Sequence, residues 1–119
     1  MSKIVQAVNA MISNQENITK VIRGGDEFFF LYRDKYKWSI KKSDEDNTHV
    51  LWYYPGPEPL EKLASLAGGD WGNISMVMYR DDEIGTREAS ATFAELYTIV
   101  KERLYRVNDV LDDIIGDAT

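Results

Sequence analysis

The stretch DEFFFLYRDKYKWSIKK, residues 26–42, decides the fold because two apolar, aromatic-rich segments flank a short polar one. Aromatic and β-branched residues favour strands, so the stretch predicts a β-hairpin with Asp34 and Lys35 as its two turn residues. Arg33 then faces Tyr36. The expected pairs that follow are Tyr32 with Lys37, Leu31 with Trp38, Phe30 with Ser39, and Phe29 with Ile40.

A third strand is predicted from His49 to Tyr54, after the polar loop SDEDNT. Pairing Lys42 with His49 places Ile40 beside Leu51, Trp38 beside Tyr53, and Ser39 beside Trp52. Successive strand side chains point to opposite faces, so this register divides the sheet into two surfaces. The expected core face holds Phe29, Leu31, Tyr36, Trp38, Ile40, Leu51 and Tyr53.

The opposite surface mixes aromatic residues with lysines, and it also includes Val50 and Ser39. Such a surface can anchor a protein partner, or stack bases and pair with phosphates, or bind a small ligand. Burial beneath the N-terminal helix, with the lysine stems reaching the edge, is the structural alternative. The candidate binding residues are Phe28, Phe30, Tyr32, Lys37, Lys41, Trp52 and Tyr54.

Helical spacing of apolar residues predicts an N-terminal helix over residues 3–13, with Ser2 as its N-cap. Ile18, Val21 and Ile22 could continue that helix after a break, before Gly24 and Gly25 stop it. Pro59 is well placed to open a short helix that Gly68 and Gly69 end, with an apolar stripe of Leu60, Leu63 and Leu66 or Ala67.

Residues 73–80 are then expected to form a fourth strand, followed by an acidic turn or a brief fifth strand. The last element is the most regular, because apolar residues recur with heptad spacing: Phe93, Tyr97, Val100, Leu104, Val107, Leu111 and Ile114. It predicts one helix of about 25 residues. Thr92 and Glu95 form a possible capping box, and a start near Thr86 or Ser90 is the alternative.

This final helix is expected to pack on its own sheet, leaving some apolar surface for a partner or a second copy. Its acidic end carries Asp109, Asp112 and Asp113, which suit a basic protein surface or are simply solvated. The fold class is therefore α+β, with an antiparallel sheet of four to five strands and three helices in one domain, residues 1–119.

The formal net charge of −6 is divided unevenly along the chain. Residues 1–42 contain eight Lys/Arg against four Asp/Glu, giving +4, and residues 43–119 contain six against sixteen, giving −10. Net acidity disfavours nucleic-acid binding. Without cysteine, a signal sequence or a long apolar run, the chain is expected to be soluble and cytoplasmic, with no membrane contact.

No catalytic, phosphate-binding or metal motif is present, and His49 is the single histidine. We therefore expect no enzyme activity, metal or cofactor. The order of predicted elements is similar to that of class I chaperones of bacterial type III secretion, which implies a chaperone-like homodimer. The main hypothesis is a protein-binding module, such as an inhibitor, immunity protein or chaperone. Single-stranded nucleic acid or a small ligand on the sheet face is the alternative.

Overall fold

A computed structural model describes residues 2–66, 69 and 71–117, and within them five antiparallel strands lie in chain order, β1 to β5. The α+β class predicted from the sequence is confirmed. The strands are β1 Ile18–Gly24, β2 Glu27–Tyr32, β3 Tyr36–Lys42, β4 His49–Tyr54 and β5 Val77–Arg80. The helices are α1 Lys3–Ser13, α2 Leu60–Ser65, α3 Asp81–Ile84, α4 Arg87–Tyr105 and α5 Val107–Gly116.

The first helix is confirmed, and Ser2 caps it by accepting a hydrogen bond from the Val5 amide at 3.2 Å. Its continuation into Ile18 and Val21 is wrong, because a 3-10 turn at residues 15–17 leads instead into β1. Residues 18–22 include three β-branched apolar side chains that fit a strand as well as a helix. Pairing with β2 decides between them.

The predicted register of the first hairpin is wrong by one residue. Tyr32 pairs with Tyr36, so three residues rather than two form the loop. Arg33 and Asp34 adopt φ values of 59° and 56°, and the Lys35 amide donates to the Tyr32 carbonyl at 3.2 Å. This is a turn of the left-handed kind that hairpins prefer, followed by one extra residue. The one-residue shift turns every β2 side chain to the opposite face relative to β3.

The register between β3 and β4 is confirmed, including Lys42 with His49 and Ser39 with Trp52. With β2 shifted, helices α1 and α4 cover the face that carries most of the core. The buried cluster there consists of Val8, Met11, Ile18, Phe28, Phe30, Ile40, Leu51, Phe93, Leu96 and Val100.

Helix α2 covers the other face, where Phe29, Tyr54, Leu60 and Leu63 form a second buried cluster. The helix approaches β1 so closely that a Cβ at Gly24 would lie 2.5 Å from the Ala64 carbonyl oxygen. The predicted helix start after Pro59 is confirmed. Ala67 and the predicted stop at Gly68 lie outside the described residues.

The predicted fourth strand is β5, which begins at Val77 rather than at residue 73 and pairs with β4. The acidic segment after it forms the single-turn helix α3 rather than another strand. The early start of the last helix is confirmed, because Thr86 caps α4 by accepting from the Ala89 amide at 3.0 Å. The capping box at Thr92 is wrong, since its hydroxyl donates to Asn9 on α1 at 3.1 Å.

The long C-terminal helical segment is broken at Arg106, which has the left-handed values φ 55° and ψ 42°. Its amide bonds back to α4 at Arg103, its carbonyl accepts from Asp109 on α5, and its guanidinium contacts the Asp109 carboxylate at 2.8 Å. The final ten-residue helix α5 therefore leaves the direction of α4. None of the described helices is long and apolar enough to cross a membrane.

Candidate functional site

The seven residues predicted to share one binding surface lie on two opposite faces of the sheet. This part of the prediction is wrong because it depended on the shifted hairpin register. Phe28, Phe30 and Tyr32 face helices α1 and α4, where both phenylalanines are buried. Lys37, Lys41, Trp52 and Tyr54 belong to the face that α2 partly covers.

The two lysines of that face form contacts within the chain. Lys37 donates from Nζ to the carbonyl oxygens of Gly56 and Glu58, the latter at 2.7 Å, and so holds the loop after β4 against the sheet. Lys41 forms an ion pair with Asp26 at 3.3 Å. These two lysines therefore do not form a basic surface that could bind along a phosphate backbone.

Trp52 and Tyr54 lie at a concave site that we call the aromatic pocket. Its volume is about 320 Å³, and its lining consists of Glu27, Trp52, Tyr54, Trp71 and Met76. The ring of Trp71 stacks on Tyr54 with centroids 6.0 Å apart. Strands β2 and β4 thus supply one wall, and the segment between α2 and β5 supplies the other.

A polar group lies within this aromatic surface. The buried Ser39 hydroxyl donates to Glu27 Oε2 at 3.1 Å and is hydrogen-bonded to the Tyr54 hydroxyl at 2.7 Å. Burial raises the pKa of the Glu27 carboxyl, and the Ser39 hydrogen bond and the charge of Lys41 oppose that rise only in part. Burial likewise raises the pKa of Tyr54.

A second concavity lies between α1 and the β2–β3 hairpin. It has a volume of about 410 Å³ and a mainly apolar lining that includes Met11, Tyr32, Tyr36, Trp38 and Tyr53. Within the described residues, the buried Trp38 Nε1 atom has no hydrogen-bond partner. The indole ring does contact Tyr53, with centroids 4.9 Å apart. The sequence did not identify this groove.

Helix α5 carries an apolar stripe that no other element covers. Val110, Leu111, Ile114 and Ile115 are between 48% and 63% exposed, and none of the described residues of α5 is buried. By contrast, Phe93, Leu96 and Val100 on α4 are fully buried. The heptad pattern therefore serves two purposes: its first half packs on the sheet, and its second half faces outward.

The predicted acidic residues Asp109, Asp112 and Asp113 all lie on α5 and are exposed. Asp109 pairs with Arg106 at 2.8 Å. At about 100° per residue, the aspartates occupy the side of the helix opposite Val107, Leu111 and Ile114. The acidic residues and the exposed apolar stripe thus belong to one amphipathic element.

The single histidine forms a buried pair. His49 Nδ1 lies 3.3 Å from Asp81 Oδ2, and the imidazole ring contacts Tyr97 edge-on at 5.5 Å. This pair links β4 to α3, which explains why an acidic residue is buried at the start of that short helix. Across residues 2–66, 69 and 71–117, no group of three or more metal-ligating side chains is found.

No known protein family, curated protein or solved structure is significantly similar to this chain. The element order that suggested a type III secretion chaperone also differs from the observed one. Four strands precede α2 and one follows it, whereas three strands were expected before that helix. The order of elements therefore no longer supports the resemblance to type III secretion chaperones.

Proposed function

We propose that this chain is a non-enzymatic protein-binding module and that α5 is its contact element. The observation that carries the proposal is the exposed apolar stripe of α5. The domain packs its core without this helix, since the buried clusters contain residues of α1, α2, α4 and the sheet but none of α5.

The size of the stripe supports a macromolecular partner. Full burial of a large aliphatic side chain contributes about 1.5–3 kcal/mol, and these four are about half exposed, so they offer on the order of 3–6 kcal/mol before the costs of association. Micromolar binding requires about 8 kcal/mol, so the stripe would supply part of the binding energy and the charged residues of α5 with further contacts the rest. An amphipathic helix that lays its apolar face into a groove is a common mode of protein recognition.

The charge of α5 favours a basic partner surface. Residues 107–117 contain four aspartates and no lysine or arginine. Complementary charges around an apolar centre speed association and exclude wrong partners. We therefore infer a partner groove that is apolar along its floor and carries lysine or arginine at its rim.

A second copy of the chain fits α5 less well. Each copy has a formal net charge of −6 and an acidic α5, so like-charge repulsion opposes the association of two copies. Arg106, the cation next to α5 in the chain, is already paired with Asp109. The homodimer therefore remains the alternative that the experiment must exclude.

The test compares three forms of the full chain as bait in extracts of the cell that produces it. They are the wild type, Ile114→Glu on the stripe, and Asn108→Glu as the matched control. Both substitutions add one negative charge to α5, but only the first removes apolar surface. A partner must be retained by the wild type and Asn108→Glu and lost with Ile114→Glu.

The captured protein is then purified, and its Kd for each form is measured by calorimetry. We expect Ile114→Glu to weaken binding at least about 30-fold, which corresponds to about 2 kcal/mol. Light scattering of the chain alone separates self-association from partner binding. A stable dimer that Ile114→Glu dissolves, with no partner captured, would replace the proposal with the homodimer.

A further inference from the structure

We propose that the aromatic pocket is a binding site for an organic ammonium group, with Glu27 as the counter-charge and the rings of Trp52 and Trp71 as walls. This site lies on the sheet and α5 is not among its lining residues, so the proposal does not depend on the function assigned to that helix. The observations that carry it are the lining, the volume, and the position of one carboxylate among aromatic rings.

The geometry of the pocket matches the two attractions that such a cation requires. Aromatic faces attract a cation within about 6 Å of the ring centroid, and tryptophan does so most strongly. Three aromatic side chains and Met76 line the pocket together with Glu27. The volume of about 320 Å³ is at the lower end of the range for small-ligand sites, about 300–1,000 Å³.

The Glu27 carboxylate has no ion-pair partner among the described residues. Its hydrogen-bond partner is the hydroxyl of Ser39, while Lys41, whose charge acts on it, forms an ion pair with Asp26. The charge of Lys41 lowers the pKa of Glu27 by less than burial raises it. A negative charge in this pocket is therefore only partly compensated by the chain itself.

The fold does not require that carboxylate. Ser39 also bonds Tyr54, so its buried hydroxyl keeps a partner without Glu27. A desolvated carboxylate opposes folding unless an opposite charge meets it. An ammonium ligand would supply that charge, an anion would be repelled, and a neutral ligand would leave the carboxylate desolvated. The chemistry of the lining thus selects a cation.

The test uses choline and its neutral carbon analogue 3,3-dimethylbutan-1-ol as matched probes. Indole N–H signals of the ¹⁵N-labelled full chain are followed by NMR and assigned with single Trp→Phe variants. Trp38 lies on the opposite face of the sheet and serves as an internal control. We expect choline to shift the Trp52 and Trp71 signals saturably, with no comparable shift from the neutral analogue.

Two variants then test the role of the charge. Glu27→Gln should weaken choline binding about tenfold or more, whereas Glu88→Gln, the same change at an exposed position on α4, should not alter it. A trimethyllysine amide is the second probe: tighter binding of choline indicates a small quaternary ammonium compound as the ligand, and tighter binding of the amide indicates a methylated lysine side chain. The signals of Trp38 report whether each variant keeps its fold.

Three results would overturn the proposal. The first is no change in any indole signal up to about 20 mM choline, where a site with a Kd near 1 mM is saturated. The second is an equal response to the neutral analogue. The third is unchanged affinity in a folded Glu27→Gln variant. Because α5 does not line this pocket, none of these results tests the protein-binding proposal, which has its own experiment.

Discussion

Tyr32 is paired with Tyr36 across the first hairpin, and this pairing places Phe28, Phe30 and Tyr32 on the face of the sheet opposite Trp52 and Tyr54. The pairing depends on a loop whose first two residues have positive φ values. Residues with a Cβ adopt that conformation less readily than glycine, and turns of this kind prefer glycine at the second position. The turn therefore holds a small local strain that a substitution can relieve.

Asp34→Gly should stabilise the fold by about 0.5–1 kcal/mol, because glycine adopts the φ of 56° without a Cβ penalty. The midpoint of urea unfolding measures the change. Glu45→Gly, at an exposed loop position, is the control, and its midpoint should be unchanged or lower than that of the wild type. A lower midpoint for Asp34→Gly would mean that the turn does not have this conformation.

Gly24→Ala should destabilise the fold by about 2–3 kcal/mol, since the new Cβ would lie 2.5 Å from the Ala64 carbonyl oxygen and 2.8 Å from the Phe29 ring. Thermal unfolding measures this. Gly116→Ala is the matched control, because a Cβ there meets no other atom within 4 Å. Equal effects of the two substitutions would contradict the close packing of α2 on β1.

Several parts of this fold follow from the sequence, and others do not. The apolar residues from 49 to 54 and the polar loop before them were enough to predict β4 and its register with β3. Ile18 and Val21 fit both a strand and a helix, so only pairing with β2 identifies β1. The break at Arg106 carries no glycine or proline to mark it.

The candidate sites divide in the same way. The amphipathic pattern of α5 is visible in the sequence, but its exposure depends on the break before it. The aromatic pocket was found only in part, through Trp52 and Tyr54. Glu27 and Trp71 come together through tertiary packing, and the one signal in the sequence is a tryptophan in an otherwise polar segment.

The buried pair of His49 and Asp81 should show strong coupling in a double-mutant cycle. Removing either partner leaves the other buried without its 3.3 Å contact, which should cost about 2–4 kcal/mol. The double variant His49→Ala, Asp81→Ala should cost clearly less than the sum of the two. Additive effects in chemical unfolding would show that the pair contributes no interaction energy.

Glu27→Gln should make the fold more stable at neutral pH, because burial disfavours the charged carboxylate and the amide carries no charge. The folded pKa of Glu27 is raised above the ordinary value of 4.5. As pH rises through that value, the unfolded chain releases the proton first, so the wild type loses stability until its folded pKa is passed. The advantage of the variant should therefore vanish below about pH 4.

Urea unfolding of both proteins between pH 3 and pH 8 measures this dependence directly. Glu95→Gln, at an exposed position in the middle of α4, provides the control and should follow the wild type throughout. An advantage of Glu27→Gln that grew toward acid would reverse the expected sign and contradict the buried position of the carboxyl.

Ile114→Glu should leave the free energy of unfolding within about 0.5 kcal/mol of the wild type, because this side chain is mostly exposed. Phe93 belongs to the same heptad pattern but is fully buried, so Phe93→Ala should lower the free energy of unfolding by about 3–5 kcal/mol. Calorimetric unfolding compares the two. A large loss with Ile114→Glu would mean that α5 belongs to the core rather than to a contact surface.

The central claim, that α5 contacts a protein partner, is tested most directly by site-specific photo-cross-linking. A benzophenone side chain replaces Leu111 on the apolar stripe, and Ser90 on the exposed side of α4 in the control. The claim predicts a light-dependent adduct with one protein from position 111 and none from position 90. Equal labelling from both positions, or no adduct from position 111, would contradict it.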